Sequence, residues 1–277
     1  MRNPTKCLPI VRESLSDLLD IASAVQQRQL EFRDDDHFGW MLFVFFAKQT
    51  EHARGVLALT EKGLYRDAGL LARSMMEGLV QLLWACNDPG ARALAWKEFT
   101  CVSSWRKIMK DQQGGHPVAA AVRAQIEEAR LNHGQQFLTK KGLEHLKSGE
   151  ELSSRDYFEN WTGHSYAEVF EQVKAQSLRL LPYSQLSDWH HWSPEIMAEV
   201  VHIDDESGRI TYLEPSARSG ALALANAFQA LFQTLEHVDA HFGLNAGQGL
   251  NGLKEAYAAR LGEIQTNNTD AIAPGKP

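Results

Sequence analysis

Cysteine is scarce in this chain. Cys7, Cys86 and Cys101 are an odd number and form no C-x-x-C pair, which argues against a disulfide framework and a cysteine-built zinc site. A reducing cytoplasm is the compartment that such sparse thiols suit. Long apolar runs are missing too. The greasiest stretch, Gly39–Ala47 (GWMLFVFFA), falls well short of the roughly 20 residues a bilayer-spanning helix needs. MRNPTKCLPIVRESL lacks the apolar core of a signal peptide, so no membrane partner is expected. Nor is there a basic excess: 28 Lys and Arg stand against 35 Asp and Glu, a net charge of −7. Duplex DNA is therefore not an expected partner, although a local basic groove stays compatible with RNA or a small anion. No phosphate loop, G-x-S-x-G elbow, dinucleotide fingerprint or H-E-x-x-H is present. No cofactor and no metal is expected.

What the chain does have is helical periodicity. Its most telling stretch is Tyr65–Ala85, YRDAGLLARSMMEGLVQLLWA, apolar almost all the way round. A helix of that kind is buried. Yet Arg66, Arg73, Glu77 and Gln81 fall within roughly 80° of one another at about 100° per residue. A polar stripe on a buried helix must be paired or line a cavity. Arg66 falls in the entry turn and reads as a surface charge, while Gln81 has no evident partner.

Around this helix the periodicity predicts others. One covers Pro9 to Leu30. A second, His37–Lys62, is capped by Asp35 or Asp36 and stopped by Gly63, so it forms an antiparallel hairpin with the stretch above. Further helices are predicted over Ala91–Lys110, Val118–Asn132, Thr162–Leu178, Tyr183–Trp192, from Ser216 to Phe242, and over Leu250–Ile264. VVHI–DDESG–RITYL reads as a short hairpin. The fold class is mainly α: an antiparallel helical bundle with one short β-hairpin near 200–213. The expected organisation is one helical domain over 1–264, a variable insertion near 133–160 and a disordered tail over 265–277.

Three groups of residues carry candidate chemistry. Arg73 and Glu77 stand one turn apart and can pair; the pair either fixes helix register or offers an anion site and a base. Tyr183, Ser187 and His191 share a helix face at i, i+4, i+8 and set out a phenol, a hydroxyl and an imidazole, with Trp189 and His190 beside them. That row suits acid–base chemistry or a hydrogen-bonded core network. His237 and His241 are also one turn apart, but they flank the predicted core face of Leu231, Leu235 and Val238 and read as surface residues, with His237 nearer the solvent side.

R-S-M-M-E (Arg73–Glu77) followed by Y-S-Q-L-S-D-W-H-H-W-S (Tyr183–Ser193) resembles a broad bacterial family of uncharacterised, mostly helical proteins, over roughly residues 40–240. Tyr183, Leu186, Ser187 and His191 match its second motif. The helical design is in turn similar to the HEPN superfamily, which includes RNA-cleaving nucleases. Those use R-x4-6-H on one helix at a dimer interface. This chain departs from that pattern, since Arg33 and His37 have three residues between them and no other Arg meets the spacing. The resemblance implies fold and site location rather than a reaction.

Two functions stay open. In one, Arg73, Glu77 and His191 act on a phosphate-containing ligand or RNA, as in a phosphodiesterase or ribonuclease-like hydrolase, with Tyr183, Ser187, Trp189 and His190 binding it. In the other the chain is a non-enzymatic binding or scaffold protein, and the cluster is a buried structural network. A homodimer is compatible with a helical chain that holds seven Trp.

Overall fold

A computed structural model describes residues 4–176, 200–204, 208–214 and 216–269. The order of elements is α1 (Pro4–Gln26), α2 (His37–Glu61), α3 (Tyr65–Cys86), α4 (Pro89–Glu98), α5 (Thr100–Gln113), α6 (Ala120–His133), α7 (Lys140–Ser148), α8 (Tyr166–Gln172), β1 (Val201–Ile203), β2 (Ile210–Tyr212), α9 (Ala217–Phe242) and α10 (Gly247–Thr269). The chain is mainly α, with one two-stranded antiparallel sheet that pairs Val201 with Tyr212 and Ile203 with Ile210. Among the described residues, no helix is long and apolar enough to cross a membrane.

The main core lies between α1, α2, α3, α9 and α10, where Leu15, Leu18, Leu42, Phe46, Met75, Met76, Leu224 and Leu231 are almost wholly enclosed. From Ala68 to Cys86, α3 has no exposed residue, as an all-round apolar helix should. Short connections make neighbours antiparallel. Gly55 of α2 lies against Leu71 of α3, and Gln49 lies against Gly78, so numbers rise on one helix as they fall on the other. Helix α9 instead runs parallel to α3: Gly220 meets Tyr65 and His237 meets Cys86. The long excursion between them carries the chain back to its starting end, as crossover connections in bundles do.

Caps follow the sequence closely. Asp36 accepts from the Gly39 amide at 2.8 Å, and Ser216 accepts from the Ser219 amide. Gly243 closes α9 in the left-handed region at φ 62°. Four predicted elements differ, one of them the last helix, which spans Gly247–Thr269 rather than Leu250–Ile264 and so takes in the start of the stretch expected as a disordered tail. The first helix starts at Pro4 and ends at Gln26, with Pro9 inside it. The helix expected over 91–110 is two, broken at Phe99. There the Thr100 hydroxyl donates to the Lys97 carbonyl and Ser103 to Phe99 and Thr100, and such back-bonding bends helices. The helix expected from Thr162 begins only at Tyr166. Asn160 Oδ1 first accepts from the Thr162 amide and hydroxyl, forming a turn, and the Ser165–Glu168 capping box then opens α8. It stops at Gln172, with Lys174 at φ 56°.

The polar stretch 133–160 packs more apolar surface than its composition suggests. Phe137, Leu138 and Tyr157 join Cys101, Val102 and Trp105 in a separate core. Two arginines hold it. Arg130 lies over the Trp105 ring at 4.8 Å, donates to the Tyr157 hydroxyl and pairs with Glu127. Arg106 donates to the carbonyls of Ser154, Tyr157 and Phe158 at 2.9–3.0 Å.

Candidate functional site

Because α2 and α3 lie side by side, the polar groups on their shared face look into one groove. On α2 that face holds Val44, Phe45, Lys48, Gln49 and His52, at helical spacings of one, three and four. On α3 it holds Ser74, Met75, Glu77, Gly78 and Gln81. Trp96 of α4 and Tyr166 of α8 complete the walls of a pocket of about 310 Å³. That is the small end of the range for ligand sites, and the mixture of apolar walls with a few converging polar groups is their usual character.

The sequence-predicted pair forms. Arg73 Nη2 stands 3.0 Å from Glu77 Oε1, with the side chains 11% and 23% exposed. Glu77 reaches the pocket wall, so the stripe serves both as a pair and as a lining. Gln81, which shows no partner in the sequence, has two: its Nε2 donates to the Tyr166 hydroxyl at 3.1 Å, and its Oε1 accepts from the Trp161 indole at 2.7 Å. Arg66, expected as a surface charge, donates to the Tyr212 hydroxyl and the Leu213 carbonyl and so ties the hairpin to α3.

Lys48, Gln49 and His52 are not evident from the sequence. The signal was the interruption of a greasy helix by polar residues one turn apart. Burial pushes the His52 imidazole below its ordinary value of 6.5; the Lys48 ammonium adds to this, and Glu51 opposes it. The ring is thus neutral near pH 7 and able to accept a proton. Gln49 is only 2% exposed. Its Nε2 donates to the Met75 carbonyl at 2.8 Å, while its Oε1 is buried with no hydrogen-bond partner among the described residues.

Tyr183, Ser187, Trp189, His190 and His191 lie outside the described residues. His237, expected near solvent, is instead half-buried. Its ring sits 3.7 Å from Cys86 Sγ, because α3 packs along that side of α9. Burial pushes the imidazole down and the Cys86 thiol up to about 11, so both are neutral packing groups. His241 bonds Asp36 at 2.9 Å. No group of three His, Cys, Asp or Glu side chains gathers at metal-binding distance among the described residues.

A model of the DUF5677 family, described as a family of unknown function, matches residues 39–210, more than half of the chain. The chain belongs to the DUF5677 family. Every residue lining the α2–α3 pocket falls inside the DUF5677 span, whereas α1, α9 and α10 fall outside it. Searches of curated proteins and of solved structures returned no match.

Proposed function

We propose that the pocket between α2 and α3 binds a small phosphate-containing ligand and that its polar walls support proton transfer on it. The observation that carries this reading is the charge arrangement. Arg73 pairs with Glu77, and among the described residues the Lys48 ammonium of the lining stands outside any ion pair, beside a neutral imidazole at His52. A cation next to a base suits phosphate binding and phosphodiester hydrolysis. In the hydrolytic version an imidazole takes the proton of the attacking group. His52 lines the wall, and His191 is the candidate from the sequence motif, with Arg73 and Glu77 setting the local field. RNA, as the likeness to HEPN nucleases implies, is the extended form of the same substrate class.

Calorimetric titration with phenyl phosphate tests binding. Wild type should bind, and Lys48→Met should bind about 10- to 100-fold more weakly, as expected for loss of a charge-assisted hydrogen bond. Equal affinity in the variant would remove the basis for the reading. Hydrolysis of bis(p-nitrophenyl) phosphate and of a fluorescent RNA oligonucleotide, compared between His52→Ala and His191→Ala, assigns the base.

The scaffold reading has its own support in Trp40, Phe43 and Val44, which stand 45%, 38% and 43% exposed along α2. An apolar strip of that kind suits recruitment of a second copy of the chain, and native mass spectrometry reads it directly.

A further inference from the structure

Helix α4 gives little of itself to the core, and Ala93 is its one buried residue. Its largest side chain, Trp96, stays partly exposed and stands in the wall of the pocket between α2 and α3. By contrast, Trp84, Trp105 and Trp161 are only 7%, 8% and 8% exposed and pack inside cores. Trp96 meets Phe45 of α2 edge to face, with ring centroids 5.8 Å apart. Phe45 is also partly exposed, in the same wall. Two rings thus lend apolar surface to a groove that holds a cation. Along α2 the order is Phe45, Lys48, His52, each about one turn from the next on one face. Residues at such spacings have Cβ atoms about 5 to 6 Å apart. A phosphate drawn to the Lys48 ammonium therefore has the aromatic pair on one side and the His52 imidazole on the other.

We infer that Trp96, with Phe45 beside it, determines specificity: it selects a phosphate ester that carries an aromatic ring, with the phosphate at Lys48 and the ring packed on the two aromatic side chains. This rests on the reading of the pocket as a phosphate-ligand site. Aromatic rings attract one another in edge-to-face or offset arrangements beyond the area they bury, so a third ring extends the existing pair. Covering the ring and the wall also removes apolar surface from water. An aliphatic ester of the same size has only this second gain. The pocket's volume of about 310 Å³, at the small end for ligand sites, suits a single ring with its phosphate. The order along α2 leaves the base beside the phosphate rather than under the ring.

The test compares phenyl phosphate with cyclohexyl phosphate by calorimetry, on wild type, Trp96→Leu and Trp96→Phe. The two probes match in size and charge and differ in aromaticity. Wild type should bind phenyl phosphate about 2- to 10-fold tighter than cyclohexyl phosphate, the range for one aromatic contact beyond area burial. Trp96→Leu should lose that preference, and Trp96→Phe should keep it. Because both probes are measured on the same protein, a general loosening of the pocket weakens both and leaves their ratio unchanged. Equal binding of the two probes to wild type, or a preference that survives in Trp96→Leu, overturns the assignment of Trp96 and leaves the phosphate site standing. A Trp96→Leu protein that binds neither probe makes Trp96 a structural support of the pocket and also overturns the assignment. No binding of either probe to wild type overturns both readings.

Discussion

Arg73 and Glu77 show how one pair of side chains can bear on both stability and chemistry. The pair is mostly but not fully enclosed, so its value lies between an exposed ion pair and a buried one. Replacing Arg73 by Ala leaves Glu77 without that partner in a partly apolar groove and should cost about 1 to 3 kcal/mol. Urea unfolding measures this cost, and a double-mutant cycle with Glu77→Gln should recover part of it. If instead Arg73→Ala unfolds at the wild-type midpoint, the pair contributes nothing to the fold. At this scale the sequence was informative for one helix only. Arg73 and Glu77 were legible because their spacing lies along a single helix. The partners of Gln81 were not, because Trp161 and Tyr166 come from 80 and 85 residues away.

Among the elements, α2 and its cap offer the clearest pH dependence. Burial raises the Asp36 carboxyl, but hydrogen bonds from His241 and from the Gly39 amide outweigh it and hold the acid below its ordinary value of 3.8. A depressed folded pKa contributes stability that is fully present above the unfolded value and disappears as pH falls through the folded one. The contribution of Asp36 should therefore be intact at pH 5 and fade below about pH 4. Asp36→Ala should lower stability by about 1 kcal/mol at pH 7. The gap to wild type should narrow in acid, as followed by thermal melting monitored by circular dichroism. A constant gap from pH 7 to pH 3 would mean that the carboxylate is not what stabilises the cap. Caps and core stripes were legible because both are local. The break at Phe99 was not, because it depends on hydroxyls of Thr100 and Ser103 choosing backbone carbonyls over solvent.

For the whole molecule, the span shared with the DUF5677 family and the span that builds the core do not coincide. Residues 39–210 hold the pocket, but α1 and α9, outside it, bury Leu15, Leu18, Leu224 and Leu231 against α2 and α3. A chain cut to 39–210 exposes those faces of the two pocket helices. It should keep helical far-ultraviolet signal while losing cooperative unfolding and its near-ultraviolet aromatic signal. A sharp melting transition in the fragment would show that the pocket helices fold without their outer partners.

By itself the sequence determined most of the helices of the described residues, the caps of α2 and α9, the hairpin and the burial of α3, since each follows from residue spacing and from which side chains can satisfy free backbone groups. It also determined that Arg73 and Glu77 pair. Only the tertiary structure decided that α9 runs parallel to α3, that two arginines anchor the polar stretch 133–160, and that Lys48, Gln49 and His52 face Glu77 across a pocket. These depend on which helix faces meet. Meeting is set by the packing of large apolar surfaces between segments far apart in the chain, and no local pattern encodes it.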